Sequence, residues 1–212
     1  MGRVFIMPLG FHEDRAMRMF IENSVTERDR VYIITANKTL SVVRAYESLV
    51  AFCRKIRLPD PELVEVPMDL SGGISRILQI LRETDGEVVV DLSRGMRYLI
   101  VYTLIALLLS NRTATIHIQP ESGEATEIVI PKQLLEVARN PPRGLYIEIL
   151  RVVSESEGAS VEEISRALGK SAKTVTNCLT KLGKLKLVSR RGRERGIYLT
   201  DLGKLVLTLT GG

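Results

Sequence analysis

The stretch Val88-Val89-Val90-Asp91-Leu92-Ser93-Arg94-Gly95-Met96-Arg97 constrains the fold more than any other. Three β-branched residues in a row make a strand that is buried on both faces, as in a parallel sheet covered by helices. The run then breaks at Arg94-Gly95 and feeds a helix opening with Met96-Arg97. In open α/β sheets such a strand–turn–helix is where ligands bind. They lie outside the carboxyl ends of the strands, near free helix N-terminal N–H groups. Two arginines in this turn select for an anion.

The segments on either side follow the same alternation. Further strands are expected over 3–9, 30–34, 62–67, 113–118 and 126–130. Between them, Met17, Phe20, Ile21 and Val25 mark a helix entered at His12-Glu13-Asp14-Arg15, and a second helix covers 39–57 until Pro59 and Pro61 end it. Ile74, Ile77, Leu78 and Leu81 mark a third, with Met68 to Gly73 read as a loop above the third strand. Alternating strands and helices predict a mostly parallel, Rossmann-like α/β sheet with helices on both faces and an antiparallel edge. The pattern changes at Asn140-Pro141-Pro142-Arg143-Gly144. The expected division is therefore a front domain over 1–131, a linker helix and Pro-rich boundary over 132–142, and a small domain over 143–212.

Charge separates the two parts. Residues 143–212 carry thirteen Lys/Arg against seven Asp/Glu, a net +6, while residues 1–142 are at −1. A basic small domain attached to a neutral larger one points to nucleic acid as the partner of the tail. Cys53 and Cys178 lie far apart in helical patterns and read as reduced thiols, and two histidines without a Cys/His cluster argue against a zinc site. The most apolar run, 98–109, is short of the roughly 20 residues that span a bilayer, and Met1-Gly2-Arg3 leads straight into a strand. A cytoplasmic protein without a signal peptide or membrane contact is expected.

The tail has the order of a winged helix-turn-helix. One helix is marked by Leu145, Ile149, Leu150 and Val153. Ser160 and Glu163 form a capping box on a second helix, Gly169-Lys170 makes the turn, and Ser171 caps a third helix over 172–185. Arg190-Arg191-Gly192-Arg193-Glu194-Arg195 then forms the basic tip of a hairpin. Val175, Leu179 and Leu182 hold the third helix on its core. Lys170, Ser171, Lys173, Thr174, Thr176, Asn177 and Lys181 are left for phosphates and base edges, and the arginines Arg190, Arg191, Arg193 and Arg195 for phosphates or a narrow minor groove.

In the front domain no Gly-x-Gly-x-x-Gly follows the first strand and Gly72-Gly73 lacks the Lys-Ser/Thr of a P-loop, so neither nucleotide fingerprint is present. No catalytic set and no metal ligands are evident, and no cofactor is expected. Several turns nevertheless share the carboxyl-end rim: Leu9-Gly10-Phe11, Ala36-Asn37-Lys38, Leu70-Ser71 and Ser93-Arg94-Gly95-Met96-Arg97. Their N–H groups, hydroxyls and cations suit phosphate oxygens, while Phe11 and Met96 offer apolar faces to a base. Arg15, on the first helix, reads either as a fourth cation of this rim or as a charge paired with acidic neighbours. An ion pair is also the alternative for Arg94 and Arg97, and Asp91 reads as a local cap or pairing partner.

Two motifs, Pro8-Leu9-Gly10-Phe11 with Arg15 and Asp91-Leu92-Ser93-Arg94-Gly95-Met96-Arg97, together with the fused winged helix, resemble the archaeal regulators built on a CRISPR-associated Rossmann-fold (CARF) domain. The second motif is similar to that family's Asp/Asn-x-Thr-Gly-Gly-Thr/Met-Arg turn, with Ser93 for Thr and Arg94 for the first Gly. The resemblance covers essentially the whole chain. It implies a homodimer whose two rims form one symmetric pocket for a cyclic oligoadenylate, most often the four-membered ring. It also implies regulation of CRISPR-associated promoters through double-stranded DNA. The alternatives are a ring nuclease acting through Lys38 and Arg97, and a winged-helix regulator of another anionic metabolite.

Overall fold

A computed structural model describes residues 2–10, 13–120, 127–191 and 196–210. The chain divides into two compact units, Met1–Leu135 and Glu136–Gly212.

The first unit runs β1 (Val4–Pro8), α1 (Asp14–Glu22), β2 (Arg30–Thr35), α2 (Leu40–Lys55), β3 (Glu62–Glu65), α3 (Leu70–Glu83), β4 (Val88–Asp91), α4 (Arg97–Leu109), β5 (Ala114–Ile118) and β6 (Ile128–Ile130), then enters α5 (Lys132–Arg139). The strands form one sheet in the order β3-β2-β1-β4-β5-β6. All neighbours pair in parallel except β5 with β6. Alternation along the strands explains the layers. Val4, Ile6, Val88 and Val90 pack under α3 and α4, with Ile77, Leu81, Leu99 and Leu107. Phe5, Met7 and Val89 face the other way, onto Met19, Phe20, Val42 and Leu49 of α1 and α2. The valine run of β4 is thus buried on both faces, as its β-branched composition requires.

One loop expectation is corrected. Leu70 and Ser71 are not loop residues but the first turn of α3, because Asp69 is its N-cap and accepts from the Gly72 amide at 2.7 Å. The Gly72-Gly73 pair is helical, and at Gly73 the need is for space. A Cβ there would stand 2.5 Å from the Tyr102 ring and 2.6 Å from the Pro67 carbonyl oxygen.

The second unit contains α6 (Leu145–Glu155), α7 (Val161–Leu168), α8 (Ala172–Lys184), β7 (Val188–Arg191), β8 (Gly196–Leu199) and α9 (Asp201–Thr210). Ser160 and Glu163 form both halves of the capping box on α7, and Gly169 takes the left-handed conformation (φ +60°) that turns the chain into α8. The core gathers Ile149, Leu150, Val153, Ile164, Val175, Leu179, Leu182 and Ile197. The wing differs from expectation in one respect. Arg190 and Arg191 belong to the β7 ladder, opposite Ile197 and Gly196, and not to the hairpin tip. Arg193 and Arg195 lie outside the described residues.

Candidate functional site

The strand order reverses direction between β1 and β4. After β1 the chain crosses to β2 through α1, while after β4 it crosses to β5 through α4 on the opposite face of the sheet. This divergence opens a crevice above the carboxyl ends of the two central strands. Its floor is the turn after β4. Gly95 sits at φ +112°, and a Cβ there would come within 2.3 Å of the Pro8 Cβ. Glycine is needed for the left-handed backbone and for the close approach of the two strand exits. Asp91 ties the turn down, one carboxylate oxygen accepting from the Ser93 amide at 2.7 Å. The Ser93 hydroxyl in turn accepts from the Gln119 amide at 2.8 Å. Helix α4 begins at Arg97 with Met96 as an N-cap that makes no side-chain cap bond. The positive end of the helix meets the crevice without a side-chain cap from Met96.

The resulting cleft has a volume of about 750 Å³. Of the residues expected at the rim, it brings together Leu9, Gly10, Arg15, Ser93, Arg94, Gly95, Met96 and Arg97. Ala36, Asn37, Lys38, Leu70 and Ser71 do not line it. The reason is topological: β2 and β3 are one and two strands removed from the switch point, so their exits stand off to the side. Phe11 lies outside the described residues, as does His12. The sequence reading missed Asp14, Arg18, Val42, Ile100, Gln119 and Pro120. Arg18 had a signal, since it lies three residues after Arg15 and hence on the same face of α1.

The arginines differ in availability. Arg15 is only 7% exposed. Its Nε donates to Asp91 at 2.7 Å, and its two terminal nitrogens donate to Glu127 at 2.6 Å and Glu22 at 3.2 Å. The paired reading of Arg15 is therefore the structural one. Burial works against the charge on Arg15, but the carboxylates of Glu127 and Asp91 outweigh it and raise its pKa. Burial likewise favours neutral Glu127, yet the Arg15 hydrogen bond and nearby His117 hold its carboxyl below the usual range. Arg94 is exposed and only grazes Asp14, at 4.0 Å. Arg18 and Arg97 are exposed on the cleft wall. With Arg94, they are the exposed cations of the cleft, while Arg15 lies beneath them in its ion pairs.

In the second unit, α8 is sorted as its spacing predicts. Val175, Leu179 and Leu182 are buried, while Lys170, Ser171, Lys173, Thr174, Thr176, Asn177 and Lys181 are exposed. Some of the exposed residues have local contacts: the Ser171 hydroxyl accepts from the Thr174 amide at 3.2 Å as the N-cap and lies 2.9 Å from the Thr174 hydroxyl. Lys181 Nζ stands 6.0 Å from the Tyr146 ring centroid. Thr180 and Lys184, which the sequence reading left out, are also exposed, at i+7 and i+11 from Lys173, on the side that carries Asn177. Arg190 is exposed at the base of the wing.

Together these features define a Rossmann-like α/β domain with an open switch-point cleft, followed by a winged helix-turn-helix unit. Residues 3–131 match the family described as the Csa3 CRISPR-associated Rossmann-like domain, and residues 144–200 match the family HVO_A0114. The chain belongs to the Csa3 family of CRISPR-associated regulators with a CARF domain. A relative in Saccharolobus solfataricus, the CRISPR locus-related protein Csa3 to which DNA binding is ascribed, is 26% identical over 207 residues, 97% of this chain and 87% of its own length. Among solved structures, protein VC1899 from Vibrio cholerae aligns with a TM-score of 0.43 at 14% identity, over 96% of this chain and 64% of its own. Can2 from Sulfobacillus thermosulfidooxidans, in complex with cyclic tetra-adenylate, aligns at 0.38 with 12% identity, over 96% and 63%. The chain spans less than two thirds of both solved chains, and scores this low establish no relationship. Among the described residues, no helix is long and apolar enough to cross a membrane.

Proposed function

We propose that this regulator binds a cyclic oligoadenylate, the four-membered ring in particular, at a pocket shared by two copies of the chain, and that it binds double-stranded DNA through its winged helices. The observation that carries the reading is the convergence at the switch point. A glycine turn, a helix start without a side-chain cap and the guanidinium groups of Arg18, Arg94 and Arg97 surround one cleft. Its volume of about 750 Å³ lies within the ~300–1,000 Å³ of small-molecule sites. Cations and helix N–H groups suit a run of phosphates. Met96 and Ile100 give a base apolar surface.

The second copy is supported by α4. Its sequence RYLIVYTLIALLL is apolar all round, and Val101 and Leu108 remain 50% and 44% exposed on the face that begins with Arg97. A helix apolar on every side asks to be covered on every side. A two-fold axis running along α4 would set both helix starts, and so both clefts, at the same end. A ring of repeating phosphates then meets the same residues twice. Ligand bound between the copies would change the spacing of the two reading helices and hence the affinity for promoters of CRISPR-associated genes.

The test is a DNA-binding titration of the full chain, with and without cyclic tetra-adenylate, on a duplex from such a promoter. The expected result is a several-fold shift in affinity with ligand and a steep loss of binding with salt, shallower by about 0.9 in log–log slope for each phosphate contact removed, as in Arg190→Ala. An unchanged isotherm refutes the sensor. Labelled ring that turns into linear product during the experiment establishes the ring nuclease instead.

A further inference from the structure

We propose that Glu127 is an internal competitor for the anion site: its carboxylate holds the buried guanidinium that a ligand phosphate would take, and its displacement loosens β6 and the start of α5. This rests on the reading of the cleft as an anion site and adds how the site is regulated.

The three carboxylates on Arg15 come from three places. Asp91, at the end of β4, is buried and built into the turn, its other oxygen held by the Ser93 amide. Glu22 closes α1 at the longer distance of 3.2 Å. Glu127 reaches Arg15 at 2.6 Å from just ahead of β6, with a third of its side chain exposed. Phosphate and carboxylate are interchangeable acceptors for a guanidinium. Of the two accessible carboxylates, Glu22 is the more exposed but sits at the far end of α1. Glu127 precedes Ile128, the partner of Ile118, and so stands level with the cleft-lining Gln119; it is therefore the one a phosphate in the cleft can replace. While it stays, one guanidinium faces three carboxylates. That local excess of carboxylates over the guanidinium opposes an anion.

The element behind Glu127 is built to respond. β6 has three residues, pairs among the described residues only with β5, and leaves Ile128 and Val129 about half exposed. A short edge strand with so little buried surface opens at low cost. Only Pro131 separates it from α5, within which the division between the two compact units falls. Competition for Arg15 also supplies what any ligand-driven shift requires, an interaction that differs between the two states.

The experiment compares wild type, Glu127→Gln and Glu22→Gln as full chains, by hydrogen exchange and by calorimetric titration with cyclic tetra-adenylate. Glu127→Gln is expected to bind the ring about tenfold tighter, through loss of one like charge near the phosphates. Without ligand it should already show the faster exchange over 128–139 that wild type shows only with ligand. Protection of β1 and β4 should stay intact, which establishes that the sheet is folded. Glu22→Gln touches the same guanidinium but leads nowhere near β6, so its exchange over 128–139 should match wild type. Unchanged exchange in Glu127→Gln, or equal loosening in Glu22→Gln, overturns the proposal. Failure of wild type to bind the ring overturns the function reading, while ligand-free exchange still decides whether Glu127 restrains β6.

Discussion

Substituting Gly95 with alanine tests the architecture of the cleft floor. Two costs add there. Alanine at φ +112° pays roughly 1–3 kcal/mol of backbone strain. Its Cβ would also lie 2.3 Å from the Pro8 Cβ, and relieving such an overlap by backbone shifts costs a further ~1–3 kcal/mol. The sum, about 2–6 kcal/mol, is a large share of the ~5–15 kcal/mol that holds a domain together. For a unit of this size it corresponds to a thermal midpoint lower by roughly 8–24 °C. Gly10→Ala is the matched control, since its nearest neighbour would be 4.0 Å away. Its midpoint should stay within about 2 °C of wild type. Differential scanning calorimetry of both variants reads the difference in the transition of the first unit. Equal midpoints for the two would refute the account of the turn.

Further outcomes follow from other contacts. Ser160→Ala removes the cap oxygen that the Glu163 amide donates to at 3.2 Å and should cost the winged-helix unit about 1 kcal/mol in urea unfolding. Burial tends to raise the Asp29 carboxyl, but the side-chain and backbone hydrogen bonds from Arg3 and the Thr26 amide prevail and lower it below its ordinary 3.8. Its contribution is therefore complete above pH 3.8 and lost as pH falls through the depressed folded value. Asp29→Asn should be destabilised at neutral pH and lose less than wild type on acidification, as read by unfolding midpoints across that range. Burial holds the Cys53 thiol up at about 11, so alkylation of the native protein at pH 8 should spare Cys53.

Much of the fold was legible because burial on two faces leaves a strong mark. The valines of β4 and the alternation of Val4, Phe5, Ile6 and Met7 in β1 can satisfy only a sheet covered by helices on both sides. The start of α3 was less legible, since Gly72-Gly73 resembles a loop until Asp69 is seen capping the turn and Tyr102 is seen filling the space a side chain would need. The cleft was half legible. Residues at the exits of β1 and β4 converge as expected. Which other strand exits join them depends on strand order, and sequence alone does not fix that for Lys38 or Ser71. The state of Arg15 was also beyond a linear reading, because Asp91 and Glu127 lie 76 and 112 residues away from it along the chain.

The central claim is that two copies of this chain share one anion site built on the turn after β4. Isothermal titration of cyclic tetra-adenylate into the full chain tests it most directly, with Arg97→Ala measured alongside. The account predicts one ring bound per two chains. It also predicts roughly 10- to 150-fold weaker binding when the Arg97 guanidinium is removed, as for the loss of a charge-assisted hydrogen bond of ~1.5–3 kcal/mol. One ring per chain, or binding indifferent to Arg97, would contradict it.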